Sequence, residues 1–327
     1  MLSTQQKKLC VIIPALNETA TISQVINGIP KAIAGFNEQE IIVIDDGSTD
    51  DTASKSRSLG ATVVSHGQNR GVGAAFRTGI QEALRRQADI IVHIDSDGQF
   101  NPGDIPQLIA PILSGASDIV TCTRFSDPKR YPKMPMLKKI GNRIVRYIVN
   151  RAVDRNFTDV SCGYRSYSRE AALRLTLFSS FTYTHEVILD AVLKGLRIQE
   201  IRLEVRGERA VGKSRVAKNI FIYGVRWLAI FFRTLRDSSP FQVFGVLATL
   251  TGGTGFLIGL FLLIHWLQTG QTFPYRSLVT VSAVFILLGT FLMTIALLAD
   301  MLRRQRILIE ELLYHARKET YKKNNEE

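Results

Sequence analysis

The sequence DIIVHIDSDGQ, residues 89–99, is an apolar run that ends in two carboxylates. The run predicts a buried strand, and because side chains alternate along extended backbone, Asp95 and Asp97 share one face. Two like charges that close repel each other unless a cation or a donor-rich ligand lies between them. Oxygen ligands suit Mg²⁺ and Mn²⁺, and Mg²⁺ is usually held by one or two carboxylates together with substrate phosphates. The stretch therefore predicts a metal–diphosphate site; the alternative is an acidic turn that caps the next helix.

Short apolar runs and helical patterns alternate from residue 9 to residue 123. Strands are predicted at 9–14, 41–45, 61–65, 90–95 and 118–123, with helices near 20–34, 51–59, 72–87 and 104–114. This alternation predicts a mostly parallel sheet with helices on both faces, and such sheets bind ligands beyond the carboxyl ends of their strands. Three motifs fall at strand ends, at Pro14, at 45–46 and at 95–97, so we expect them to meet on one rim.

Two polar motifs at these strand ends can bind a nucleotide or simply form turns. Asn17 and Glu18 can accept hydrogen bonds from a ribose or a base, or cap the helix that follows them. After the second strand, residues 48–51 are enough to cap the next helix. That leaves Asp45 and Asp46 to accept from a ribose hydroxyl or a nucleobase N–H.

Charge and cysteine content narrow the class of protein. The 327 residues carry a formal charge of +12, which suits nucleic acid, an anionic membrane surface or a phosphorylated substrate. Basic residues flank the apolar C-terminal stretches, which favours a membrane surface, and no nucleic acid is expected as a partner.

Three cysteines without CxxC spacing predict neither a disulfide set nor a zinc site. Phe76 stands where a dinucleotide-binding loop needs its last glycine, which weakens a Rossmann oxidoreductase interpretation.

Two apolar runs, 243–267 and 278–298, have 25 and 21 residues. At ~1.5 Å rise per residue they reach ~38 and ~32 Å, enough to cross a hydrocarbon core of ~30 Å. The loop between them carries one positive charge, Arg276, whereas arginines precede the first run and follow the second. The positive-inside rule therefore puts both termini in the cytosol. Gly255 and Gly259 can pack helices closely and are a weak hint of a homo-oligomer.

An apolar and aromatic stripe with arginines outside it predicts that 219–236 is an amphipathic helix in the membrane interface. The polar N-terminus passes directly into a strand, which predicts no signal peptide and a catalytic domain in the reducing cytosol. The expected protein of the cell membrane has a cytosolic catalytic domain at 1–218, an amphipathic juxtamembrane helix at 219–241, a two-helix transmembrane hairpin at 242–300 and a basic cytosolic tail at 301–327.

The motifs at 14–18, 45–52 and 69–73, followed by DxDxQ at 95–99, resemble the family 2 glycosyltransferases of the GT-A fold. Three further segments are similar to the polyprenyl-phosphate group of that family, which includes dolichol-phosphate mannose synthase and bacterial undecaprenyl-phosphate sugar transferases: 123–125, 159–165 and 209–215. The similarity covers roughly residues 9–236, and the two-span tail is similar to the bacterial transferases. It implies an α/β GT-A nucleotide-sugar fold, a mostly parallel sheet sandwiched by helices, followed by an amphipathic interfacial helix and two transmembrane helices.

The resemblance implies a role for each matching residue. The nucleoside pocket would be lined by Pro14, Leu16, Glu18, Ile44 and Asp46. Mg²⁺ or Mn²⁺ would be held by Asp95, Asp97 and Gln99, and the nucleotide sugar would also meet Ser96. Phosphates of the donor or acceptor would be bound by Arg124, Arg209 and Arg215. The catalytic residues would be Asp97, Arg209 and Asp159; Asp159 either orients or weakly deprotonates the acceptor, or it is only a helix or turn cap.

The implied reaction moves a sugar from a nucleotide donor, of the GDP-mannose or UDP-glucose type, to a polyprenyl phosphate at the cytosolic membrane face. A cation and arginine would stabilise the leaving diphosphate, and an acceptor phosphate with a second pKa of ~6 needs no strong base. Direct displacement from an α-linked donor would invert the anomeric carbon.

Two other functions are possible on the sequence. A processive polysaccharide synthase is the main alternative, although Tyr223 stands where its Gln-x-x-Arg-Trp motif has Gln, and two spans cannot easily enclose a sugar chain. The other is a membrane scaffold without activity, against which the acids at three strand ends argue. His93, inside an apolar strand, is expected to be a core residue and not a ligand.

Overall fold

A computed structural model of the chain describes residues 7–125, 136–177, 183–205 and 240–322. The chain forms two compact units, Met1–Lys218 with Leu313–Glu327, and Asn219–Leu312. The amphipathic helix predicted at 219–236 lies outside the described residues.

The first unit is built on a seven-stranded sheet. Its strands are β1 (Lys8–Ala15), β2 (Glu38–Asp45), β3 (Thr62–Ser65), β4 (Ile90–His93), β5 (Ile119–Thr123), β6 (Arg165–Ser168) and β7 (Ile198–Arg202). Its helices are α1 (Ile22–Gly28), α2 (Thr52–Ser58), α3 (Val72–Arg85), α4 (Ile105–Leu113), α5 (Met136–Val153), α6 (Arg169–Arg174) and α7 (Thr184–Leu193). The strand order is β3-β2-β1-β4-β6-β5-β7. Only β6 is antiparallel to its neighbours among these strands, so the predicted mostly parallel sheet with flanking helices is confirmed.

The central strands are buried on both faces, which is why they appear in the sequence as apolar runs. In β1, Val11 and Ile13 face the layer that contains α1 and α4, whereas Ile12 faces the layer that contains α3. Gly79 brings α3 close to the sheet, since a Cβ there would lie 3.0 Å from Ile12 Cδ1. Packing on both faces therefore holds the carboxyl ends of β1, β2 and β4 at one edge.

The sequence analysis predicts neither β6 nor β7, and β6 is the less expected of the two because it lies inside the sheet. Its residues, Arg-Ser-Tyr-Ser, contain no apolar run, and its first residue, Arg165, is fully buried. The Arg165 guanidinium donates to Thr121 Oγ1 at 3.2 Å, to the Val160 carbonyl at 3.2 Å and to the Thr184 carbonyl at 2.7 Å. These acceptors compensate the burial of the charge and fix β6 between β4 and β5.

The second unit contains helix α8 (Pro240–Thr269) and most of helix α9 (Arg276–Thr320). Both helices are long and apolar enough to cross a membrane, α8 from Val243 onward. Many of their large apolar side chains are exposed, as is typical of surfaces that meet lipid. These helices contain the two predicted spans, and α9 continues beyond the second one to Thr320.

Small residues bring α8 and α9 together. A Cβ on Gly289 would lie 2.5 Å from Gly252 Cα, and Ser282 Oγ donates to the Gly255 carbonyl at 2.8 Å. A Cβ on Gly259 would lie 2.9 Å from the same Ser282 hydroxyl. The glycines that suggested a homo-oligomer therefore pack within one chain, and that prediction loses the feature on which it was based.

The last turns of α9 belong to the first unit. Tyr314 is buried, and Arg317 Nη1 donates to the carbonyls of Leu173 and Leu175 at 3.1 and 2.6 Å. These carbonyls lie at the end of α6, where backbone acceptors have no helical partner. The predicted tail at 301–327 is therefore helical as far as Thr320, and its end is bound to the first unit.

Candidate active site

The acidic turn after β4 lies at the carboxyl edge of the sheet. Asp95 is half-buried, and Ser96 and Asp97 are each 6% exposed. Asp97 Oδ1 accepts a hydrogen bond from the backbone N–H of Gln99 at 3.1 Å. Gly98, with a φ of 71°, lets the backbone make this turn. The strand ends at His93, two residues before the predicted end at 95, so both carboxylates lie in the turn beyond the strand and not on extended backbone.

Gly163 lies directly against the Asp95 carboxylate. A Cβ at this position would be 2.7 Å from Asp95 Oδ2 and 3.0 Å from the Tyr183 hydroxyl oxygen, so a larger residue would have to displace one of them. His93 Nδ1 donates to the Gly163 carbonyl at 2.7 Å, and the Tyr183 hydroxyl lies 3.1 Å from both nitrogens of the His93 ring. Burial lowers the pKa of His93 to about 3, so its ring is neutral. The prediction that His93 is a core residue is confirmed.

Asp46 holds the loop that precedes α3. Its carboxylate accepts hydrogen bonds from the backbone N–H groups of Arg70 and Gly71, both at 2.9 Å, and lies 2.7 Å from His66 Nδ1. His66 Nε2 lies 2.9 Å from the Thr78 hydroxyl on α3. Asp46 is buried and these donors surround it, so it acts as a loop clamp, and its predicted contact with a nucleoside stays a prediction. No sequence pattern points to His66, which lies 20 residues further along the chain.

Asp45 closes the turn that follows β2. One carboxylate oxygen accepts from the Ser48 backbone N–H and the other from the Ser65 hydroxyl, each at 2.9 Å. Gly47 has a φ of 82°, and a Cβ there would lie 2.6 Å from the carbonyl carbon of Gln68, so the turn packs directly on the next loop. Both acids are buried and bonded within the protein, so neither is left without partners as the sequence suggested, and a contact with a ligand stays a prediction.

The motif after β1 is joined to the same turn. Asn17 Oδ1 accepts from the Thr49 backbone N–H at 2.7 Å. The Glu18 carbonyl accepts from the Ile22 backbone N–H at 2.9 Å, and Glu18 Oε2 accepts from the Thr21 hydroxyl at 3.2 Å. These contacts are those of a turn, and no side chain caps α1 at its N-cap residue, Thr21.

The apolar residues predicted for the nucleoside pocket differ in exposure. Pro14 and Ile44 are buried register partners in β1 and β2, whereas Leu16 is half-buried beyond the strand end. Ile44 is fully buried beneath α3, where a Cβ on Gly79 would lie 3.4 Å from Ile44 Cγ1. The expectation that Ile44 lines the pocket is therefore corrected: its side chain faces the core and supports the strand end from inside.

Arg124 and Asp159 form a buried ion pair. Arg124 Nε donates to Asp159 Oδ2 at 2.6 Å and Arg124 Nη2 to Asp159 Oδ1 at 3.0 Å, and Nη2 also donates to the Ser161 hydroxyl at 2.6 Å. The Asp159 side chain is 1% exposed and that of Arg124 is 12% exposed. Burial alone would raise the pKa of Asp159, but the charge of Arg124 and the hydrogen bonds from Arg124 and Ser161 outweigh it and lower that pKa.

This ion pair bears on two predicted roles. An ionised carboxylate with a lowered pKa and both oxygens bonded is a poor base, so the contacts of Asp159 are those of a positioning residue, and its part in the chemistry stays a prediction. The Arg124 guanidinium donates through Nε and Nη2 to that carboxylate and to Ser161, and its contact with a phosphate also stays a prediction. The Ser161 backbone N–H donates to Asp159 Oδ1 at 3.0 Å, which is the turn cap that the sequence left as the alternative.

Two groups that the sequence does not single out support this loop. Glu200 on β7 accepts from the backbone N–H groups of Thr158 and Asp159 at 2.7 and 2.9 Å. The thiols of Cys122 and Cys162 are buried, with their sulfur atoms 2.9 Å apart. Both contacts connect residues 40 or more positions apart, so a local pattern cannot indicate them.

Asp95 and Asp97 offer the hard oxygen atoms that Mg²⁺ and Mn²⁺ take as ligands. Gly163 keeps the space beside the Asp95 carboxylate clear of a side chain. In the described part of the chain, no three His, Cys, Asp or Glu side chains gather into a metal-binding group. A cation at this turn would therefore complete its ligands with Gln99, water and substrate phosphates, as Mg²⁺ commonly does. Arg209 and Arg215, predicted to bind phosphates, lie outside the described residues.

Known proteins are similar to this chain in sequence. A UDP-N-acetylglucosamine–dolichyl-phosphate N-acetylglucosaminyltransferase of Methanococcus voltae is 34% identical over 182 residues, 50% of this chain and 71% of that protein. A dodecaprenyl-phosphate galacturonate synthase of Rhizobium johnstonii is 24% identical over 308 residues, 92% of this chain and 89% of that protein.

Solved structures of known proteins have a fold similar to that of this chain. The glucosyl-3-phosphoglycerate synthase of Mycobacterium tuberculosis, in complex with Mn²⁺, uridine diphosphate and glucosyl-3-phosphoglycerate, superposes with a TM-score of 0.52. It is 26% identical and covers 63% of this chain and 73% of its own. The family described as glycosyl transferase family 2 matches residues 10–176, from β1 through α6. This match takes in just over half of the 327 residues, and the chain therefore belongs to glycosyl transferase family 2.

Proposed function

We propose that this glycosyltransferase moves a sugar from a nucleotide sugar to a polyprenyl phosphate at the cytosolic face of a membrane. The observation that carries the proposal is the acidic turn at Asp95–Asp97, held at the carboxyl edge of a nucleotide-sugar-type sheet in a chain with two candidate spans. Two relatives are named for polyprenyl-phosphate acceptors, one of them similar over 92% of this chain. An acceptor dissolved in the bilayer suits an enzyme that is itself anchored there.

Asp95, Asp97 and Gln99 would hold a divalent cation, Mg²⁺ or Mn²⁺. When bound, such a cation supplies positive charge to the diphosphate that leaves as the bond to the sugar C1 breaks. The solved relative with Mn²⁺ and uridine diphosphate supports this assignment. Asp97, whose Oδ1 is engaged by the Gln99 N–H, is oriented by its own turn, and Gly163 leaves room at Asp95.

The chemistry needs no strong base from the protein. A polyprenyl monophosphate has a second pKa of ~6 by analogy with phosphorylated side chains, so it is largely ionised at neutral pH. The ion pair of Asp159 with Arg124 is consistent with this, since it leaves Asp159 in a positioning role for the loop 158–163. A single displacement by the phosphate oxygen would invert the anomeric carbon, and Arg209 and Arg215 would hold the phosphates.

The donor is proposed to carry uridine. Both bases were open on the sequence, but the Methanococcus voltae relative is named for a UDP-sugar and the Mycobacterium tuberculosis structure holds uridine diphosphate. Melting curves with uridine or guanosine diphosphate, each with Mn²⁺, test this, because a ligand that binds the folded form alone raises the melting temperature. A larger shift with guanosine diphosphate would reject the uridine assignment.

The acceptor is tested with the full-length protein in vesicles that contain undecaprenyl or dolichyl phosphate. Wild-type protein is expected to transfer labelled sugar from a UDP-sugar panel to the lipid, one sugar per lipid, and the Asp97→Ala variant is expected to transfer none. Transfer that is unchanged in Asp97→Ala would reject the metal–diphosphate site. A water-soluble polymer in place of a single-sugar lipid would favour the processive synthase.

A further inference from the structure

The support around Asp95 comes from three separate parts of the first unit. His93 ends β4, Gly163 lies in the loop before β6, and Tyr183 immediately precedes α7. Gly163 and Tyr183 are 70 and 90 residues from His93 in the chain, yet all three contact one another, and Gly163 lies beside the Asp95 carboxylate. None of them is a metal ligand in the proposed function.

The hydrogen bonds fix the state of the His93 ring. A carbonyl oxygen can only accept, so the 2.7 Å contact with Gly163 places the imidazole hydrogen on Nδ1. The Tyr183 hydroxyl oxygen lies 3.1 Å from both nitrogens of this ring. These contacts connect Tyr183 through His93 to the backbone of Gly163.

The Tyr183 ring is itself fixed by packing. It stacks on Phe76 of α3 with ring centroids 4.2 Å apart and an interplanar angle of 10°, and Tyr183 is 2% exposed. Phe76 also meets the His93 ring edge-on at 5.3 Å. Aromatic contacts of this kind hold both rings in one position and keep the Tyr183 hydroxyl beside His93 and Gly163.

We propose that His93 and Tyr183 are positioning residues. They hold the Gly163 backbone beside Asp95 and so keep the Asp95 carboxylate oriented for the divalent cation. The inference rests on the proposed function, because it assigns the cation to Asp95 and Asp97. Gly163 is held by its carbonyl, and its backbone lies so close to Asp95 that a Cβ on it would be 2.7 Å from Asp95 Oδ2. Partners outside the ligand shell of a metal commonly change its affinity by tenfold to a hundredfold when they are removed.

The test measures Mn²⁺ affinity directly, by titration of the full-length protein in detergent without nucleotide or acceptor. Tyr183→Phe removes the hydroxyl and keeps the ring that stacks on Phe76, and it is expected to weaken Mn²⁺ binding roughly tenfold. Gly163→Ala places a Cβ within 2.7 Å of Asp95 Oδ2 and is expected to weaken it more. Tyr167→Phe is the matched control, since Tyr167 is another fully buried tyrosine, with its ring 5.7 Å from Phe76; its Mn²⁺ affinity is expected to equal that of the wild type.

A second readout separates positioning from loss of structure. For Tyr183→Phe, the Mn²⁺ concentration that gives half-maximal transfer should rise while kcat at saturating Mn²⁺ stays near the wild-type value. Wild-type Mn²⁺ affinity in a folded Tyr183→Phe protein would overturn the inference and leave the proposed function standing. Equal Mn²⁺ binding in wild type and Asp97→Ala would instead overturn the cation site itself.

Discussion

Two acidic pairs lie at the carboxyl edge of the same sheet, 45–46 at the end of β2 and 95–97 after β4, and they differ in what surrounds them. The first pair receives hydrogen bonds from residues up to 25 positions away, so its carboxylates join loops. In the second pair, Asp97 accepts from its own turn, two residues away, and Asp95 lies against a glycine. The role of a strand-end acid therefore depends on the donors that the fold brings to it, and the motif alone does not state that role.

The largest effect is expected from Asp97→Asn. The amide oxygen can still accept from the Gln99 N–H, so the turn is kept, but the charge that attracts a cation is lost. Sugar transfer should fall on the order of a thousandfold, as for the loss of one strong electrostatic contact to a transition state. Radiolabelled transfer to lipid measures it, and the melting temperature should stay within a degree or so of wild type. A large fall in melting temperature would mean that the second pair is a clamp like the first.

The sequence predicts where the strands and the two acidic pairs lie, but it does not predict which residues surround each pair. Apolar runs and turn residues predict five strands close to their observed places and put both acidic pairs at strand ends. The partners cannot be predicted, because contacts such as His93 with Gly163 connect residues 70 positions apart. Strand β6 is missed for a related reason, since it is stabilised by the buried guanidinium of Arg165 and not by an apolar pattern.

The next effect concerns a third clamped carboxylate, Asp159. Arg124→Leu would leave that carboxylate buried without its partner, which costs about 3–5 kcal/mol of stability at neutral pH. The folded-state pKa of Asp159 is lowered, so in the wild type its contribution is present above the unfolded value of ~3.9 and is lost as pH falls below that. In Arg124→Leu, protonation of Asp159 in acid removes the unpaired buried charge, so a fall in pH costs this variant less stability than it costs the wild type.

Melting temperatures from pH 7 to pH 4 check this prediction. The deficit of Arg124→Leu relative to wild type should be largest near neutral pH and should narrow in acid. Arg197→Leu is the control, because Arg197 pairs with Asp118 but is itself largely exposed, and its loss should cost little. A deficit for Arg124→Leu that is the same at every pH would show that the lost interaction is packing and not charge.

A smaller effect is expected from Asp46→Ala. The change removes the acceptor for two backbone N–H groups and for His66, and each buried group left without a partner costs about 1–3 kcal/mol. We expect a loss of about 3 kcal/mol in the free energy of unfolding and a smaller loss for Asp46→Asn, which keeps one acceptor oxygen. Unchanged stability together with lost uridine diphosphate binding would make Asp46 the nucleoside ligand that the resemblance implies.

The smallest effect isolates a single bond of the first pair. Ser65→Ala removes the hydroxyl that donates to Asp45 Oδ2 at 2.9 Å, while Asp45 keeps the backbone N–H of Ser48 on its other oxygen. The expected cost is about 1 kcal/mol, with Mn²⁺ affinity and sugar transfer unchanged. Ser58→Ala, at an exposed position on α2, is the control and should change stability by less than about 0.5 kcal/mol. If Ser65→Ala lowered Mn²⁺ affinity, the two acidic pairs would be coupled across the sheet edge, and the division between a clamp and a cation site would no longer hold.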